Sequence, residues 1–224
     1  NMLVPYGIVD STWKKNAEDA ANEIHSKGLF TNIDDTLDKS TWDWKEAENT
    51  TQRSIILLTD GLVDISKDAN KNEASRSRIL NNILPRLKAS GATIHTIALS
   101  GEADEILLQQ LAVSTNGWYE KAATAENLER LFFRMFEKAA NPDTLPLNDN
   151  TMLVDDSIEE LTLLVFKKDG GEPTTVIPPG QEAFGESSLP DNVNWHNEDR
   201  YDLITINAPI PGTWKIDADT DPDN

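Results

Sequence analysis

The sequence predicts an α/β doubly wound, mostly parallel sheet followed by a small all-β sandwich. Three observations lead there. Before Asn141-Pro142, β-branched apolar runs alternate with stretches of helical period, as in a parallel sheet with helices on both faces. After it come short alternating segments punctuated by Gly, Pro and Asn, the texture of a sandwich. The charge also shifts there: residues 1–146 hold 22 acids and 16 bases, a net of −6, and residues 147–224 hold 17 acids and 4 bases, a net of −13. The expected division is a first domain over 1–141, a linker over 142–146 and a sandwich over 147–224. Pro142 and Pro146 suit a linker, because proline stops a helix and favours extended backbone. A chain of 224 residues has room for two such domains.

Along the first domain, Met2-Leu3-Val4 reads as a short strand closed by Pro5 and Gly7. Asp10 or Ser11 can cap a helix with Ala17, Ala20, Ala21 and Ile24 facing inward and Gly28 ending it. A second helix starts at Thr31 or Asn32 and carries Ile33, Leu37 and Trp44. The unbroken run Arg53–Thr59 is expected as a strand buried on both faces. Ile79, Leu80, Ile83, Leu84 and Leu87 form the stripe of the next helix despite Pro85. Thr93–Leu99 is a strand, Ile106, Leu107 and Leu111 lie on a helix, and Trp118-Tyr119 is a short strand. Leu128, Leu131, Phe132, Met135 and Phe136 give the cleanest helical periodicity. In the second domain, Glu160–Phe166, Thr174–Ile177, Tyr201–Asn207 and Thr213–Asp217 read as strands. Leu161, Leu163, Val165, Leu203 and Trp214 are the expected inner face.

Composition removes several function classes. Thirty-nine Asp and Glu oppose 20 Lys and Arg, a formal charge of −19, which opposes non-specific nucleic-acid binding and docking on anionic lipid. Without cysteine there are no disulfides, thiol catalysis or Cys-based zinc sites. No run approaches the ~18–20 apolar residues of a membrane helix. His25, His95 and His196 lack metal-ligand spacing, and His95 reads as structural in its strand. No nucleophile elbow, phosphate-binding glycine loop or dinucleotide fingerprint occurs. The acid pairs Asp155-Asp156 and Glu159-Glu160 put neighbours on opposite strand faces and read as solvated. Asn49-Thr50-Thr51 matches a glycosylation sequon. The tryptophans are better explained as packing than as a carbohydrate platform.

What could carry chemistry lies where ligands meet a doubly wound sheet, beyond the carboxyl ends of its strands. The run ending Leu57-Leu58-Thr59 leads directly into Asp60-Gly61, and Thr31 opens a helix. A hydroxyl and a carboxylate converging there are hard oxygen donors suited to Mg²⁺ rather than zinc. The plainer readings are Thr31 as a helix cap and Asp60 as a turn residue. The acidic tail over 217–224 resembles the start of a Ca²⁺ loop, but Pro222 replaces the needed glycine and no twelfth-position Glu follows. Asp217 and Asp219 are therefore expected as the exposed end of the last strand.

The segments Gly28-Leu-Phe-Thr-Asn-Ile33 and Ile55-Ile-Leu-Leu-Thr-Asp-Gly61 resemble the second and third motifs of von Willebrand factor A domains. Ala89–Leu99, Leu111–Tyr119 and the amphipathic helix that follows resemble the next segments of that family in order. The resemblance implies a metal-ion-dependent adhesion site with Thr31 and Asp60 as Mg²⁺ ligands, the ion leaving a position open for a protein partner's carboxylate. The family's first motif, Asp-x-Ser-x-Ser, has no counterpart, since Asp10-Ser11-Thr12 opens a helix. The resemblance thus implies a chain lacking the family's first strands, with two of five ligands and weak or no metal binding. Val154–Val165 and Ala208–Ile216 resemble an immunoglobulin-like sandwich that follows such domains in some extracellular and bacterial envelope proteins. The implied function is a non-enzymatic adhesion module of a bacterial cell envelope, anchored by a segment outside this chain. A metal-dependent hydrolase using Asp60 and a structural domain with an inactive metal site are the alternatives.

Overall fold

A computed structural model describes residues 3–25, 30–44 and 51–220. The Gly28 helix stop, the glycosylation sequon at Asn49-Thr50 and the tail beyond Thr220 lie outside them. The chain divides into two compact units, Asn1–Pro142 and Asp143–Asn224.

The first unit contains helices α1 (Ser11–Asn22) and α2 (Ile33–Ser40), strand β1 (Arg53–Thr59), helix α3 (Ala69–Arg78), a π turn (Ile79–Ile83) and helix α4 (Leu84–Ala89). Strand β2 (Ala92–Ala98), helix α5 (Glu105–Ser114), strand β3 (Tyr119–Lys121) and helix α6 (Ala125–Ala140) follow. The sheet runs β1-β2-β3, all parallel, with Ile55 opposite Ile94 and Ile97 opposite Glu120. The larger core joins Ile33 and Leu37 of α2 to Ile79, Ile83 and Leu87, Ile94 of β2, and Leu107 and Leu111 of α5. A smaller one sets Leu131 and Met135 of α6 against Ile97.

Several expectations need correction. Leu3 and Val4 form a bend and not a strand, consistent with interruption by Pro5 and Gly7. Helix α1 is capped by Asp10, whose carboxylate accepts the Trp13 amide at 2.7 Å, but it contains no buried residue and Ile24 is exposed. An alanine stripe offers too little apolar area to hold a helix down by itself. Trp44 lies past the end of α2. The stripe begun at Ile79 continues a helix already running from Ala69. Its Leu84 amide reaches Ile79 O, a widened turn just before Pro85, whose ring would otherwise crowd an i−4 carbonyl. β1 is half-buried, whereas β2 is buried along almost its whole length. An unbroken apolar run does not reveal whether a strand has one neighbour or two. On α6, Leu131 and Met135 are buried but Phe132 and Phe136 are exposed. That helix ends at Asn141, in the left-handed conformation at φ 46°, one residue before Pro142.

The second unit packs two three-stranded antiparallel sheets. One is ordered β4 (Thr151–Val154), β9 (Gly212–Asp217), β6 (Thr175–Ile177). The other is ordered β5 (Glu160–Phe166), β8 (Tyr201–Asn207), β7 (Val193–Asn197). Leu161, Leu163, Val165 and Trp214 are buried as expected, but on β8 the inner residues are Asp202, Ile204 and Ile206, with Leu203 on the other face. Both alternating sets of β8 contain apolar residues, and a carboxylate on one argues against its burial. Asp202 is nevertheless only 1% exposed, because Trp195 Nε1 at 3.0 Å, Asn197 Nδ2 at 2.9 Å and Lys167 Nζ at 3.5 Å satisfy it.

Candidate functional site

The site is built from the loops at the carboxyl ends of β1 and β2 and from the residues that lead into α2. Asn32, one residue beyond Thr31, caps α2 by accepting the Asp35 amide at 3.1 Å. The capping reading of Thr31 is therefore corrected: an amide side chain does that work and the Thr31 hydroxyl faces elsewhere. It lies beside the β1 loop, at 3.3 Å from where a Cβ on Gly61 would sit. Glycine at 61 is thus what allows the loop to approach Thr31 closely.

Asp60 begins that loop with an exposed side chain whose carboxylate has no hydrogen-bond partner among the described residues. Its backbone is held: Ser100 Oγ, from the loop after β2, donates to Asp60 O at 2.6 Å and accepts the Glu102 amide at 3.0 Å. The Leu99 amide bonds Thr59 O at 2.9 Å, carrying the β1–β2 ladder to the edge of the site. Structure thus brings Thr31, Asp60-Gly61 and Ser100 together.

Thr31 is fixed from its other side by residues that sequence reasoning missed. The Asp64 amide donates to Thr31 O at 3.0 Å. Asn72 on α3 holds that segment: its Oδ1 accepts the Ile65 and Ser66 amides at 2.9 and 3.0 Å, and its Nδ2 donates to Asp64 Oδ1 at 3.0 Å and Ser66 O at 2.9 Å. Helix α2 is tied to α3 by the buried Asp34, which accepts from Ser75 Oγ at 2.9 Å and Arg78 Nη1 at 3.0 Å. Asp38 accepts from Arg78 and Arg86. Asn72 leaves no local sequence signal. Ser100-Gly101 could have been found by the carboxyl-end rule that picked out Asp60.

Thr31 and Asp60 furnish two hard oxygen donors, whereas Mg²⁺ takes about six in a near-octahedral shell. Among the described residues no three of His, Cys, Asp and Glu gather to hold a metal. By themselves these residues do not fit the ion. His95 is buried on β2, its Nδ1 accepts the Trp118 amide at 3.3 Å, and burial holds its pKa below the usual histidine value, a structural role. Asp217 closes β9 with an exposed side chain, and Asp219 accepts the Glu172 amide at 3.1 Å.

No family model and no curated protein matches the chain. Among solved structures it is similar to a von Willebrand factor type A from Catenulispora acidiphila, at 15% identity and a TM-score of 0.44. The match covers 95% of this chain and 48% of that one, so the chain spans about half of its length. A likeness this remote leaves fold and chemistry to be judged on the chain's own residues.

Proposed function

We propose that the chain belongs to a non-enzymatic protein–protein interaction module that meets its partner at the carboxyl end of the parallel sheet. The observation that carries this reading is the convergence of Thr31 with an exposed Asp60, unpartnered among the described residues, on a loop held from beneath by Ser100. Preorganised polar groups on a rigid edge suit recognition. Nothing among the described residues hydrogen-bonds the Asp60 carboxylate as a partner in acid–base chemistry would.

A Mg²⁺ bridge from Thr31 and Asp60 to an acidic side chain of the partner belongs to this proposal only with further donors from outside these residues. The immunoglobulin-like reading of the second unit makes it a spacer or second contact surface. We place the module at a bacterial cell envelope, on its periplasmic or extracellular face. Absent cysteine and the acidic second unit suit that setting.

Selecting displayed peptides against the chain, with Mg²⁺ or Mn²⁺ present and then removed, tests the reading. With the further metal donors supplied, peptides bearing Asp or Glu should be enriched and should lose binding to Asp60→Ala and Thr31→Val; without them the bare Asp60 carboxylate should select peptides bearing Lys or Arg. Binders retained equally by both variants would take these residues out of the site. Metal-dependent phosphoester turnover lost in Asp60→Ala would replace the module reading with a hydrolase.

A further inference from the structure

Three places in the chain set Asp or Asn directly before glycine: Asp60-Gly61, Asn116-Gly117 and Asp169-Gly170. At such a pair the glycine amide nitrogen can close on the side-chain carbonyl carbon, since glycine carries no Cβ to crowd the five-membered ring. Ring closure requires the peptide plane joining the two residues to turn, so hydrogen bonds on that plane oppose it. Sequence alone puts Asn116 first, because an amide cyclises without the proton that a carboxylate must take up.

The structure reverses that order. The Gly117 amide donates to Ala112 O at 2.8 Å, and Ile94 O lies 1.9 Å from where a Cβ would stand, so this plane is wedged against β2. The plane between Asp60 and Gly61 is held at both ends: Asp60 O accepts from Ser100 Oγ at 2.6 Å, and the Gly61 amide donates to Thr59 Oγ1 at 3.4 Å. Asp169 and Gly170 are the central residues of a turn closed by the Gly171 amide on Lys168 O at 2.9 Å, with Gly170 at φ 69°. Neither Asp169 O nor the Gly170 amide has a hydrogen-bond partner among the described residues. Both residues are exposed, and nothing lies within 4 Å of a Cβ placed on Gly170.

We propose that Asp169 is a self-modification site, converting to isoaspartate through a succinimide with Gly170 and thereby loosening the segment 218–220. The Gly170 nitrogen gives up its proton to solvent and bonds to Cγ of the protonated carboxyl, whose hydroxyl leaves with a proton as water. Water then adds to the ring. Opening at Cγ restores aspartate; opening at the backbone carbonyl leaves the chain running through Cβ and Cγ, with a free α-carboxylate. Nothing is oxidised or reduced, and the mass is unchanged. The backbone between Lys168 and Glu172 is then longer by one methylene. That stretch is clamped to a single residue: Asp219 O accepts the Lys168 amide at 2.8 Å, and Asp219 Oδ2 accepts the Glu172 amide at 3.1 Å. Gly171 packs between them, with Asp219 Cβ 2.7 Å from where its own Cβ would stand. A longer turn cannot keep both amides on Asp219, and the neighbouring bridge from Thr220 to Lys167 depends on the same register.

The test is incubation of the full chain in neutral buffer, followed by peptide mapping and by methyl transfer from an isoaspartyl methyltransferase, which marks the free α-carboxylate. The peptide holding Asp169 should split into two species of equal mass. It should do so at least about tenfold faster than the peptide holding Asp60, where two hydrogen bonds must first be given up. Asn116 should stay an amide. In the converted chain the Lys168 and Glu172 amides should exchange faster. Asp169→Glu, whose ring would have six members, should abolish the methyl-accepting peptide. Ser100→Ala, which frees Asp60 O, should speed conversion at Asp60 several-fold and leave Asp169 as it was. Three results would each overturn the proposal: conversion at Asp60 or Asn116 as fast as at Asp169, conversion of Asp169 only after the chain is unfolded in urea, or unchanged Lys168 and Glu172 amides in the converted chain.

Discussion

Asp104 does two jobs whose contributions can be separated by two substitutions. Its Oδ1 caps α5 by accepting the Leu107 amide at 3.0 Å, while Oδ2 takes Arg76 Nε at 2.6 Å. The carboxylate is 11% exposed and the guanidinium 26%, so water screens the pair little. Asp104→Ala removes the cap, worth about 1 kcal/mol. It also strands Arg76, for which about 2 kcal/mol is appropriate because a quarter-exposed guanidinium can still reach solvent. The sum is about 3 kcal/mol. Asp104→Asn keeps an oxygen for Leu107 but turns its Nδ2 donor toward Arg76 Nε, so the Arg76 bond is lost with the charge while the cap remains, about 2 kcal/mol. Read as exchange of the Leu111 amide within α5, these correspond to about 150-fold and about 30-fold acceleration. Burial pushes the Asp104 carboxyl up. The Arg76 hydrogen bond, the Leu107 amide and the Arg76 charge together outweigh it and hold the carboxyl below its ordinary value. A depressed folded pKa means stabilisation fully present above the unfolded value near 3.9 and lost as pH falls through the folded one. The gap between the native chain and Asp104→Asn should therefore close on acidification below about pH 4. Equal acceleration by the two variants at pH 7 would refute the separation of cap from charge.

Two further outcomes follow from packing. A Cβ on Gly117 would lie 1.9 Å from Ile94 O and 2.6 Å from Ile94 C, where backbone and not a flexible side chain must yield. Gly117→Ala should cost about 3 kcal/mol, the top of the overpacking range, and lower the melting temperature of the first unit by roughly 10 °C; an unchanged melting curve would contradict the close approach. Asn72→Ala should release the 64–66 segment and speed exchange of the Asp64 amide by about tenfold or more, equivalent to the ~1–3 kcal/mol of unsatisfied buried groups; an unaltered Asp64 amide would show that Thr31 is held by something else.

Where one residue type dominates an alternation, the fold was legible. Arg53–Thr59 and Glu160–Phe166 form the strands their runs specify, and Leu131 and Met135 bury as their spacing requires. It was not legible where two physical signals competed. Helix α3 carries an Asn- and Arg-rich sequence with no apolar stripe, so periodicity passes over it although Ser75 is buried. On β8 the buried Asp202 inverts the apparent inner face, because its three partners come from Trp195, Asn197 and Lys167, none predictable as neighbours. β7 was missed since Val193–Asn197 has a single β-branched residue.

The candidate site divides in the same way, and the division says where it can be controlled. Asp60 was readable because a carboxylate directly after a buried run must emerge at a strand's carboxyl end. Thr31 was readable as a helix opener and, through the family resemblance, as a ligand beside Asp60, but its local sequence does not say what holds it there. Its position against Gly61 depends on a backbone bond from Asp64, on Asn72 behind that, and on Asp34 pairing with Ser75 and Arg78 to fix the helix it precedes. None of these groups needs to touch a partner. A change at Asn72 or Arg78 should then move Thr31 relative to Asp60 while leaving both side chains chemically intact. Binding that survives such variants but not Asp60→Ala would mean that the carboxylate alone is recognised and the convergence with Thr31 is incidental.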